Sequence, residues 1–446
     1  MYQEKVAGMS HLPNSMLTYT ERTWRLQDSL YRKAKQASEY KFYILYDKIF
    51  LGYILSTAWD EVRRNGGSPG VDGETVSMIE ERGREQYLED LREDLHSRTY
   101  RANAVKRVWI PKPDGSKRPL GIPTVRDRIV QTACKLILEP IFEADFADCS
   151  HGFRPNQSAG CAIKEIRMHP QEGKTEVYDA DLTQYFDTIP HDKLKIVLRL
   201  RISDPRVLSL INQWLKAPVN EDGRFTGGKK NKAGTPQGGV ISPLLANIYM
   251  NLIDKAINRA DGLFAPMGIK IVRYADDFVL MGSQIRKEAE DCLRMLLHRM
   301  GLSLNESKTR KVQAKEESFS FLGFTFRYDR DLRGRDFNYL NIHPSKKSEK
   351  KIRSNIDDFL QRSGHFSAER VAQGLNSILR GWLNYFTIRG VSYTAKSRRG
   401  LRWYLMNRLN QYYNRKIQRR SSLYGQQAYD LLLQRFGMID VLKYKA

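Results

Sequence analysis

The sequence predicts an α+β body followed by an all-helical region, and three observations lead to this class. Short apolar runs that fit buried strands alternate with stretches of helical periodicity as far as about residue 344. Beyond Ser345 the strand-like runs stop, and the pattern becomes helical and basic. Strands mixed with helices, followed by helices alone, indicate two differently built parts. We therefore expect a boundary near Pro344.

The N-terminal residues 1–74 are expected to form a helical extension. The longest apolar stretch, residues 42–59, is interrupted by two charged residues, so it is predicted to be an amphipathic helix that cannot span a membrane. A turn-rich break follows at residues 65–73. Residues 75–98 are then predicted to form one helix.

The mixed body is expected to run from residue 75 to residue 344. Its predicted elements, in chain order, are a strand pair at 105–120, helices at 125–142 and 205–214, a buried strand at 177–182, a loop at 234–241, a helix at 243–257, a hairpin around residue 276, a helix at 287–300 and a strand pair at 319–328. The glycine-rich segment 223–229 has the spacing of a phosphate-binding loop. Because Lys230 stands where such loops have Ser or Thr, we interpret it as a flexible basic loop.

Positive charge is concentrated near the C-terminus. The chain has 74 Lys+Arg against 51 Asp+Glu, a formal net charge of +23. Residues 396–420 hold nine basic residues and no acidic one. This balance indicates a polyanionic partner, with nucleic acid favoured over an anionic membrane. A solvated basic face is the alternative, but the interleaved aromatic residues favour stacking on bases: Trp403, Tyr404, Tyr412 and Tyr413.

The four cysteines lie far apart and form no C-x-x-C pair. This argues against a disulfide framework and against a zinc module, and it fits a reducing, cytosolic setting. The N-terminus has no signal-peptide pattern. We therefore expect a cytoplasmic protein with no membrane partner.

The most informative motif is Tyr274-Ala275-Asp276-Asp277, which lies between two apolar runs. Because side chains alternate faces along a strand, a charged pair inside an apolar run must lie at a turn. The motif therefore predicts a hairpin with the carboxylates at its tip. Carboxylates placed in this way are typical of divalent-cation sites, whereas an isolated Asp-Asp pair is more often a surface turn.

A second acidic segment, Asp-Ala-Asp-Leu at residues 179–182, lies far upstream in another apolar run. Carboxylates arriving from two distant strands suit two-metal phosphoryl transfer, in which the cations lie about 3.5–4 Å apart. The candidate catalytic residues and metal ligands are therefore Asp181, Asp276 and Asp277. Asp179 is a competing ligand, since it lies two residues earlier on the same strand face.

At the Asp-Asp hairpin the chain resembles reverse transcriptases, in the spelling usual for bacterial group II intron-encoded enzymes. Further blocks follow in the family's order from about residue 47 to about residue 420. They resemble the N-terminal extension (65–73), the fingers hairpin (112–123), the next fingers block (151–155), the palm strand (179–187), the loop beneath the template (234–239), the last palm blocks (304–309 and 321–324) and the maturase thumb signature (381–386).

The resemblance implies a right-hand polymerase fold. Fingers and palm with an antiparallel sheet would occupy residues 75–344, after the extension at 1–74. A helical thumb, the maturase domain, would occupy residues 345–420. Residues 421–446 would form a basic tail, a candidate remnant of a DNA-binding segment.

The family implies Mg²⁺ as cofactor, with two ions in the active site. In this sequence the implied metal ligands are Asp181, Leu182, Asp276 and Asp277. Phe186 lies five residues after Asp181 and resembles the family's steric gate, a bulky side chain placed where a ribose 2′-hydroxyl would lie. A core aromatic residue is the alternative interpretation of Phe186.

The family also implies contacts to the incoming deoxynucleoside triphosphate. Lys106, Lys112 and Arg118 lie on the proposed fingers hairpin, where Arg can grip phosphate in a fork and Lys acts as a point charge. Ordinary surface cations are the alternative. Gln237 and Gly238 lie in a loop where a missing side chain permits close approach of the backbone to a base or sugar.

The thumb signature implies a protein that binds group II intron RNA, assists its splicing and copies it into a target DNA. RNA template, DNA primer and deoxynucleoside triphosphates would be its substrates, in the bacterial cytosol and at the nucleoid. Lys308 is expected to contact phosphate or to act in proton transfer, unless it is simply exposed. The candidate nucleic-acid contacts are Lys308, Lys396, Arg398, Arg399, Arg402, Arg415 and Lys416.

Many relatives continue into a DNA-binding segment and a metal-dependent endonuclease. This sequence stops at Ala446 without the cysteine pairs of such a domain. We therefore expect no endonuclease activity, and a primer from another source such as a nascent strand at a replication fork.

Three other functions compete with the intron-encoded polymerase. One is a domesticated reverse transcriptase used in defence or DNA repair. Another is a splicing-only maturase, which the intact aspartates argue against because a pure binder gains nothing from repelling carboxylates. The last is an RNA-dependent RNA polymerase, which Phe186 disfavours.

Overall fold

The computed structural model describes residues 2–6, 13–111, 115, 117–331, 336–414 and 423–445. The chain divides into two compact units. The first unit comprises Met1–Ser158, Ala180–Leu280 and Ile285–Thr309, and the second comprises Ala159–Asp179, Met281–Gln284 and Arg310–Ala446. The boundaries expected near residues 74, 344 and 420 stay predictions.

The N-terminal part of the first unit is helical. Its helices are α1 (Tyr2–Lys5), α2 (Tyr19–Gln36), α3 (Tyr46–Ile49), α4 (Gly52–Asn65), α5 (Val76–Arg82) and α6 (Arg84–His96). The single helix predicted for residues 42–59 is wrong, because the buried Asp204 carboxylate accepts hydrogen bonds from the Leu45 and Tyr46 amides and starts α3 there. The helix predicted for 75–98 is interrupted at Gly83, whose φ of 109° is open to glycine.

A four-stranded sheet follows, formed by β1 (Val105–Pro111), β2 (Lys117–Ile122), β4 (Pro218–Glu221) and β5 (Arg224–Gly227) in the order β2-β1-β4-β5. β1 is antiparallel to β2 and parallel to β4. The flexible loop predicted at residues 223–229 is wrong, since β4 and β5 form a hairpin. Its turn residues Asp222 and Gly223 both have positive φ, as a two-residue hairpin turn requires.

A second four-stranded sheet carries the acidic motifs. Its strands are β3 (Glu176–Ala180), β6 (Lys270–Tyr274), β7 (Asp277–Gly282) and β8 (Arg310–Gln313), in the order β6-β7-β3-β8. The remaining helices of the body are α7 (Val125–Glu143), α8 (Ala159–Met168), α9 (Tyr185–Thr188), α10 (His191–Leu198), α11 (Pro205–Leu215), α12 (Ser242–Asn258) and α13 (Lys287–Met300). Strands mixed with helices confirm the predicted α+β class.

The C-terminal part of the second unit begins with β9 (Phe319–Phe321), β10 (Phe324–Arg330) and β11 (Asn338–Pro344), in the order β11-β10-β9. Four helices follow: α14 (Lys346–Arg362), α15 (Ala368–Phe386), α16 (Ala395–Asn414) and α17 (Ala428–Phe436). They enclose a leucine-rich core to which Leu379, Leu405 and Tyr429 contribute. Across the described ranges, we find no helix with the length and apolar character needed to cross a bilayer.

Candidate active site

The predicted Asp-Asp hairpin is present, with β6 and β7 joined at Ala275 and Asp276. Ala275 has a φ of 60°, the left-handed conformation that favours tight hairpin turns. Ala275 is buried, whereas Asp277 is exposed at the start of β7. The turn therefore presents the two carboxylates from a strand pair whose other side chains are mostly buried.

Arg273 holds this hairpin in place through a buried network of polar contacts. Its side chain is fully buried and forms an ion pair with Asp254, with 2.5 Å between Nη2 and Oδ2. The same guanidinium donates to Asn247 Oδ1 (2.9 Å), Ser150 Oγ (2.7 Å) and the Ala275 carbonyl (2.8 Å). Because a buried charge is tolerated only when it is paired and hydrogen-bonded, this network sets the position of the turn.

The segment around Gly152 lies directly against the hairpin. The His151 amide donates to the Arg273 carbonyl at 2.9 Å, and Asn247 Nδ2 donates to the Gly152 carbonyl at 2.7 Å. A Cβ on Gly152 would lie 2.4 Å from the Ala275 amide nitrogen. Only glycine fits there without moving the turn that carries Asp276.

Asp181 reaches the site from the end of β3. The Asn305 amide donates to the Asp181 carbonyl at 2.8 Å, and Asn305 Nδ2 donates to Asp181 Oδ2 at 3.3 Å. Lys308 Nζ lies 3.0 Å from the same carboxylate oxygen, and the Lys308 side chain is 66% exposed. Asp181 is thus held by a neighbouring segment and faces a cation at the surface.

The electrostatics link Asp181 to the hairpin tip. Burial raises the pKa of the Asp276 carboxyl, and the charge of Asp181 raises it further. Arg118 and Arg273 act in the opposite direction and lower that pKa. Carboxylates from two distant segments and an arginine of β2 therefore share one electrostatic environment.

The competing ligand Asp179 has a different partner. It lies on β3 opposite Arg310, and the two side chains form an ion pair of 3.7 Å. Leu182 pairs with Leu304 as an isolated bridge, in which the flanking Thr183 and Asn305 amides make the hydrogen bonds. In such a pair the Leu182 carbonyl points away from residue 304, so it is free of that strand.

A divalent cation suits this donor set. All the candidate ligands offer oxygen, which hard cations prefer, and the Lys308 ammonium shows that Asp181 accepts a cation. Within the part of the chain that the structure describes, no group of three or more Asp, Glu, His or Cys side chains is arranged to hold a metal ion, so the three predicted aspartates do not converge on a metal site by themselves. Mg²⁺ commonly uses one or two carboxylates and completes its coordination with substrate phosphates and water.

The loop that contains Gln237 connects Arg118 on β2 to Asp187, the residue after Phe186. Arg118 Nε donates to Gln237 Oε1 at 2.8 Å, and Gln237 Nε2 donates to Asp187 Oδ2 at 3.1 Å. The Gly121 amide donates to the Gln237 carbonyl at 2.6 Å. Burial raises the pKa of Asp187, while Arg107 and Arg118 lower it.

Gly238 permits this contact. Its φ is 105°, and a Cβ there would lie 2.3 Å from the Gly121 carbonyl oxygen. Gly238 therefore allows a close approach to the backbone of β2, and its predicted approach to a base or sugar stays a prediction. The sequence did not predict that Asp187 and Arg107 belong to the site, although each directly follows a predicted site residue in the chain.

Two of the three cations predicted on the fingers hairpin lie among the described residues. Across the β1–β2 pair, Lys106 lies opposite Ile122 and Arg118 lies opposite Ile110. Opposite residues share a face and alternate along the strand, so Lys106 and Arg118 project from the same face of the hairpin. Lys112 lies outside the described residues.

Phe186 is buried in α9, and its ring packs edge-on against Tyr185 at 5.6 Å between centroids. The Tyr185 hydroxyl donates to the Ala246 carbonyl at 2.6 Å. The Thr235 amide donates to the Phe186 carbonyl at 2.7 Å. The ring position is therefore fixed from both sides, as either a gate or a core residue requires.

The basic residues predicted on α16 differ in their surroundings. Lys396 and Arg399 are exposed, whereas Arg402 is half-buried with its guanidinium 5.9 Å from the Tyr429 ring centroid. Arg398 is buried and donates to Thr387 Oγ1 (2.7 Å) and the Tyr444 carbonyl (2.8 Å). These internal bonds argue against the predicted RNA contact of Arg398.

The aromatic residues of α16 are also of two kinds. Trp403 is 70% exposed, in keeping with a stacking role, whereas Tyr413 lies in the core. Tyr404 and Tyr412 are half-buried and donate to the Arg353 and Ser363 carbonyls. Stacking by Tyr413 is therefore excluded by its burial. Arg415 and Lys416 lie outside the described residues.

Comparisons with known proteins agree with this geometry. The sequence model of the reverse transcriptase (RNA-dependent DNA polymerase) family matches residues 110–326. The model of the group II intron maturase-specific domain matches residues 349–427.

Curated relatives share much of the chain. Protein YkfC of Escherichia coli is 38% identical over 291 residues, covering 57% of this chain and 75% of that protein. Group II intron-encoded protein LtrA of Lactococcus lactis is 28% identical over 374 residues, covering 69% of this chain and 60% of that protein. A putative COX1/OXI3 intron 1 protein of Saccharomyces cerevisiae is 30% identical over 314 residues, covering 70% of this chain but 35% of that protein.

Two domain matches in the expected order, together with a relative that is 38% identical and covered over 75% of its length, establish the family. Reverse transcriptases use divalent metal ions and act on nucleic acids. This chain belongs to the group II intron-encoded reverse transcriptases and maturases, and it carries an RNA-directed DNA polymerase domain.

Proposed function

We propose that this chain copies RNA into DNA by two-metal nucleotidyl transfer at Asp181, Asp276 and Asp277. One observation carries the proposal. Asp276 lies at the tip of a hairpin that a buried ion pair fixes, and the charges of Asp181 and Arg118 shift the pKa of its carboxyl in opposite directions. The rigid turn presents Asp276 and Asp277, while Asp181 follows β3 and Arg118 lies on β2.

Mg²⁺, as two ions, would be held by the three aspartates and the Leu182 carbonyl. When bound, it supplies activation of the primer 3′-hydroxyl and neutralises charge on the leaving pyrophosphate. The protein's own part is to orient the reactants. Arg118 and Lys106 project from one face of the fingers hairpin and would contact the triphosphate, and the Gln237–Asp187 contact holds Arg118 in place.

Phe186 is the proposed selector of deoxyribose. Its ring is buried and packs edge-on against Tyr185, and the Thr235 amide holds its backbone carbonyl, so the ring would resist displacement by a 2′-hydroxyl. A side chain that moves freely could not discriminate sugars, because discrimination requires the clash to remain.

We further propose that the basic helical region binds group II intron RNA and assists its splicing. Lys396, Arg399 and the exposed Trp403 lie on α16 and supply charge and a stacking surface. Target DNA would be engaged at the insertion step. Because phosphate contacts release counterions, binding should weaken steeply with added salt.

The direct test is deoxynucleotide incorporation on an RNA template with an annealed DNA primer and Mg²⁺. Wild-type protein should extend the primer, and the Asp276→Ala/Asp277→Ala variant should not, although it still folds and binds RNA. Absence of synthesis by folded, RNA-binding wild-type protein would favour a maturase that acts only in splicing. If the variant lost splicing assistance together with copying, the proposed separation of the two functions would be wrong.

A further inference from the structure

A basic cavity of about 530 Å³ lies in the first unit, outside the catalytic residues. It is bordered by α10, α11 and the segment before α3. Three cations surround it, namely Lys41, Lys195 and Arg199. None of these residues takes part in the proposed polymerase chemistry.

The walls of the cavity are held together by backbone pairing. The Phe42 amide donates to the Arg201 carbonyl at 2.8 Å, and the Ser203 amide donates to the Phe42 carbonyl at 2.9 Å. These bonds join the segment that carries Lys41 to the segment between α10 and α11. The cavity is therefore part of the folded body and does not depend on a loose loop.

The charge of the lining is unbalanced. Among the described residues that line the cavity there is no carboxylate. The nearby Asp204 carboxylate is buried, and both of its oxygens already accept hydrogen bonds from backbone amides, namely those of Leu45, Tyr46, Arg206 and Val207. Burial and the charges of Lys216 and Arg199 lower the pKa of Lys195, with Asp192 opposing. An anion in the cavity would relieve this repulsion.

The floor of the cavity is not that of a simple phosphate site. Pro205 is exposed and Leu208 is half-buried, and the two side chains present apolar surface to the cavity, whereas Ile202 is completely buried beneath them. Asn212 also lines the cavity. An apolar surface beside three cations suits a ligand that combines a flat apolar group with a negative charge.

We propose that this cavity receives one unstacked nucleotide of a folded RNA. The base would lie on Pro205 and Leu208, while the flanking phosphate would contact Lys195, Arg199 and Lys41. RNA is favoured because bulges and loops splay out single bases, and proteins recognise folded RNA largely through such bases. The inference rests on the proposed function only in taking RNA as the partner.

The test uses the full chain and three fluorescein-labelled RNA hairpins in an anisotropy titration. One hairpin carries a single bulged adenosine, the second carries an abasic residue at that position, and the third is fully paired. The wild type should bind the bulged hairpin about two- to fivefold more tightly than the abasic one, as apolar contact of one base with Pro205 and Leu208 predicts.

Ser209→Trp fills the cavity from an exposed position on α11 and should remove this preference. Lys195→Gln/Arg199→Gln should weaken binding of the bulged hairpin to the level of the paired one. Arg206→Gln is the matched control, because it removes an exposed cation of α11 that does not line the cavity. It should keep the preference.

Equal binding of the bulged and abasic hairpins by wild-type protein would overturn the proposal, as would an unchanged preference in Ser209→Trp. The same preference for a bulged DNA hairpin would overturn the assignment to RNA. Primer extension by the same wild-type preparation separates the two proposals. Extension without bulge preference refutes the cavity alone, and bulge preference without extension refutes the polymerase alone.

Discussion

Arg273 and Lys308 each form an ion pair with an aspartate near the Asp276–Asp277 hairpin, but in opposite surroundings. The Arg273–Asp254 pair is completely buried, and its guanidinium also bonds Asn247, Ser150 and the Ala275 carbonyl. The Lys308–Asp181 pair is a single contact of 3.0 Å with a side chain that is 66% exposed. Buried pairs that lose one partner are costly, whereas exposed pairs contribute little. The buried Arg273–Asp254 pair thus serves as a fixed support of the hairpin, whereas the Lys308 ammonium beside Asp181 is an exchangeable cation.

Removing the fixed support should have the largest effect. Arg273→Met would leave Asp254 as an uncompensated buried charge, and we expect a loss of about 3–5 kcal/mol in the free energy of unfolding. Urea denaturation measures this loss. Arg327→Met, which breaks the exposed pair with Asp329, is the control and should cost about 1 kcal/mol or less. Equal losses in the two variants would contradict the role of Arg273 as the support.

Opening the proposed gate should change selectivity without removing the support. Phe186→Val shortens a ring that is held against Tyr185, and relief of the clash should improve ribonucleotide use by roughly ten- to a hundredfold relative to deoxynucleotides. Single-nucleotide incorporation with each sugar gives the ratio. Tyr185→Phe, which keeps the ring, is the matched control. Unchanged sugar selectivity in Phe186→Val would show that Phe186 is a core residue.

Removing the exchangeable cation should have a smaller effect. Lys308→Gln frees the Asp181 carboxylate from competition, so the Mg²⁺ concentration for half-maximal incorporation should fall by up to about fivefold. A Mg²⁺ titration of primer extension measures this midpoint. Arg310→Gln, beside Asp179, should leave it unchanged. A higher midpoint in Lys308→Gln would show that Lys308 assists metal binding.

Acid should lower the stability of the folded structure around the buried His191. His191 Nε2 bonds the Gly234 carbonyl at 2.7 Å, and burial lowers the pKa of His191 below its ordinary 6.5. The folded state therefore binds this proton less readily than the unfolded state. The stability from neutral His191 is complete above that ordinary value and is lost as the pH falls below it.

The measurement is urea denaturation at about pH 7.5 and about pH 5.5, on either side of the ordinary histidine pKa. His191→Gln keeps a donor for Gly234 but cannot titrate, so it should lose less stability on acidification than the wild type. An equal loss in the two proteins would assign the acid sensitivity to other groups.

Local signals in the sequence were sufficient for much of the fold and for the hairpin. The apolar runs around Asp276 predicted the strand pair, and helix α13 was predicted at its observed bounds. The β4–β5 hairpin was missed because each strand is short, although Asp222-Gly223 is a strong turn signal. Gly83 likewise marked a break that helical periodicity alone did not show.

The support of the site could not be predicted in the same way. Arg273 bonds Ser150, which lies 123 residues away in the chain, and no local pattern connects the two. A charged residue inside the apolar run before Tyr274 was a usable signal, because a buried guanidinium requires a partner. Its partners were still unknowable, since Asp254 lies on α12 among several polar residues of that helix.

The assignment of Asp181 as the ligand is the central claim, and one pair of variants tests it directly. Asp181→Asn and Asp179→Asn each remove one negative charge from neighbouring positions. The charge of Asp181 raises the pKa of the Asp276 carboxyl, whereas Asp179 forms an ion pair with Arg310. Single-turnover incorporation on an RNA template should fall by about a hundredfold or more in Asp181→Asn and stay close to wild type in Asp179→Asn. Equal losses, or a larger loss in Asp179→Asn, would contradict the site described above.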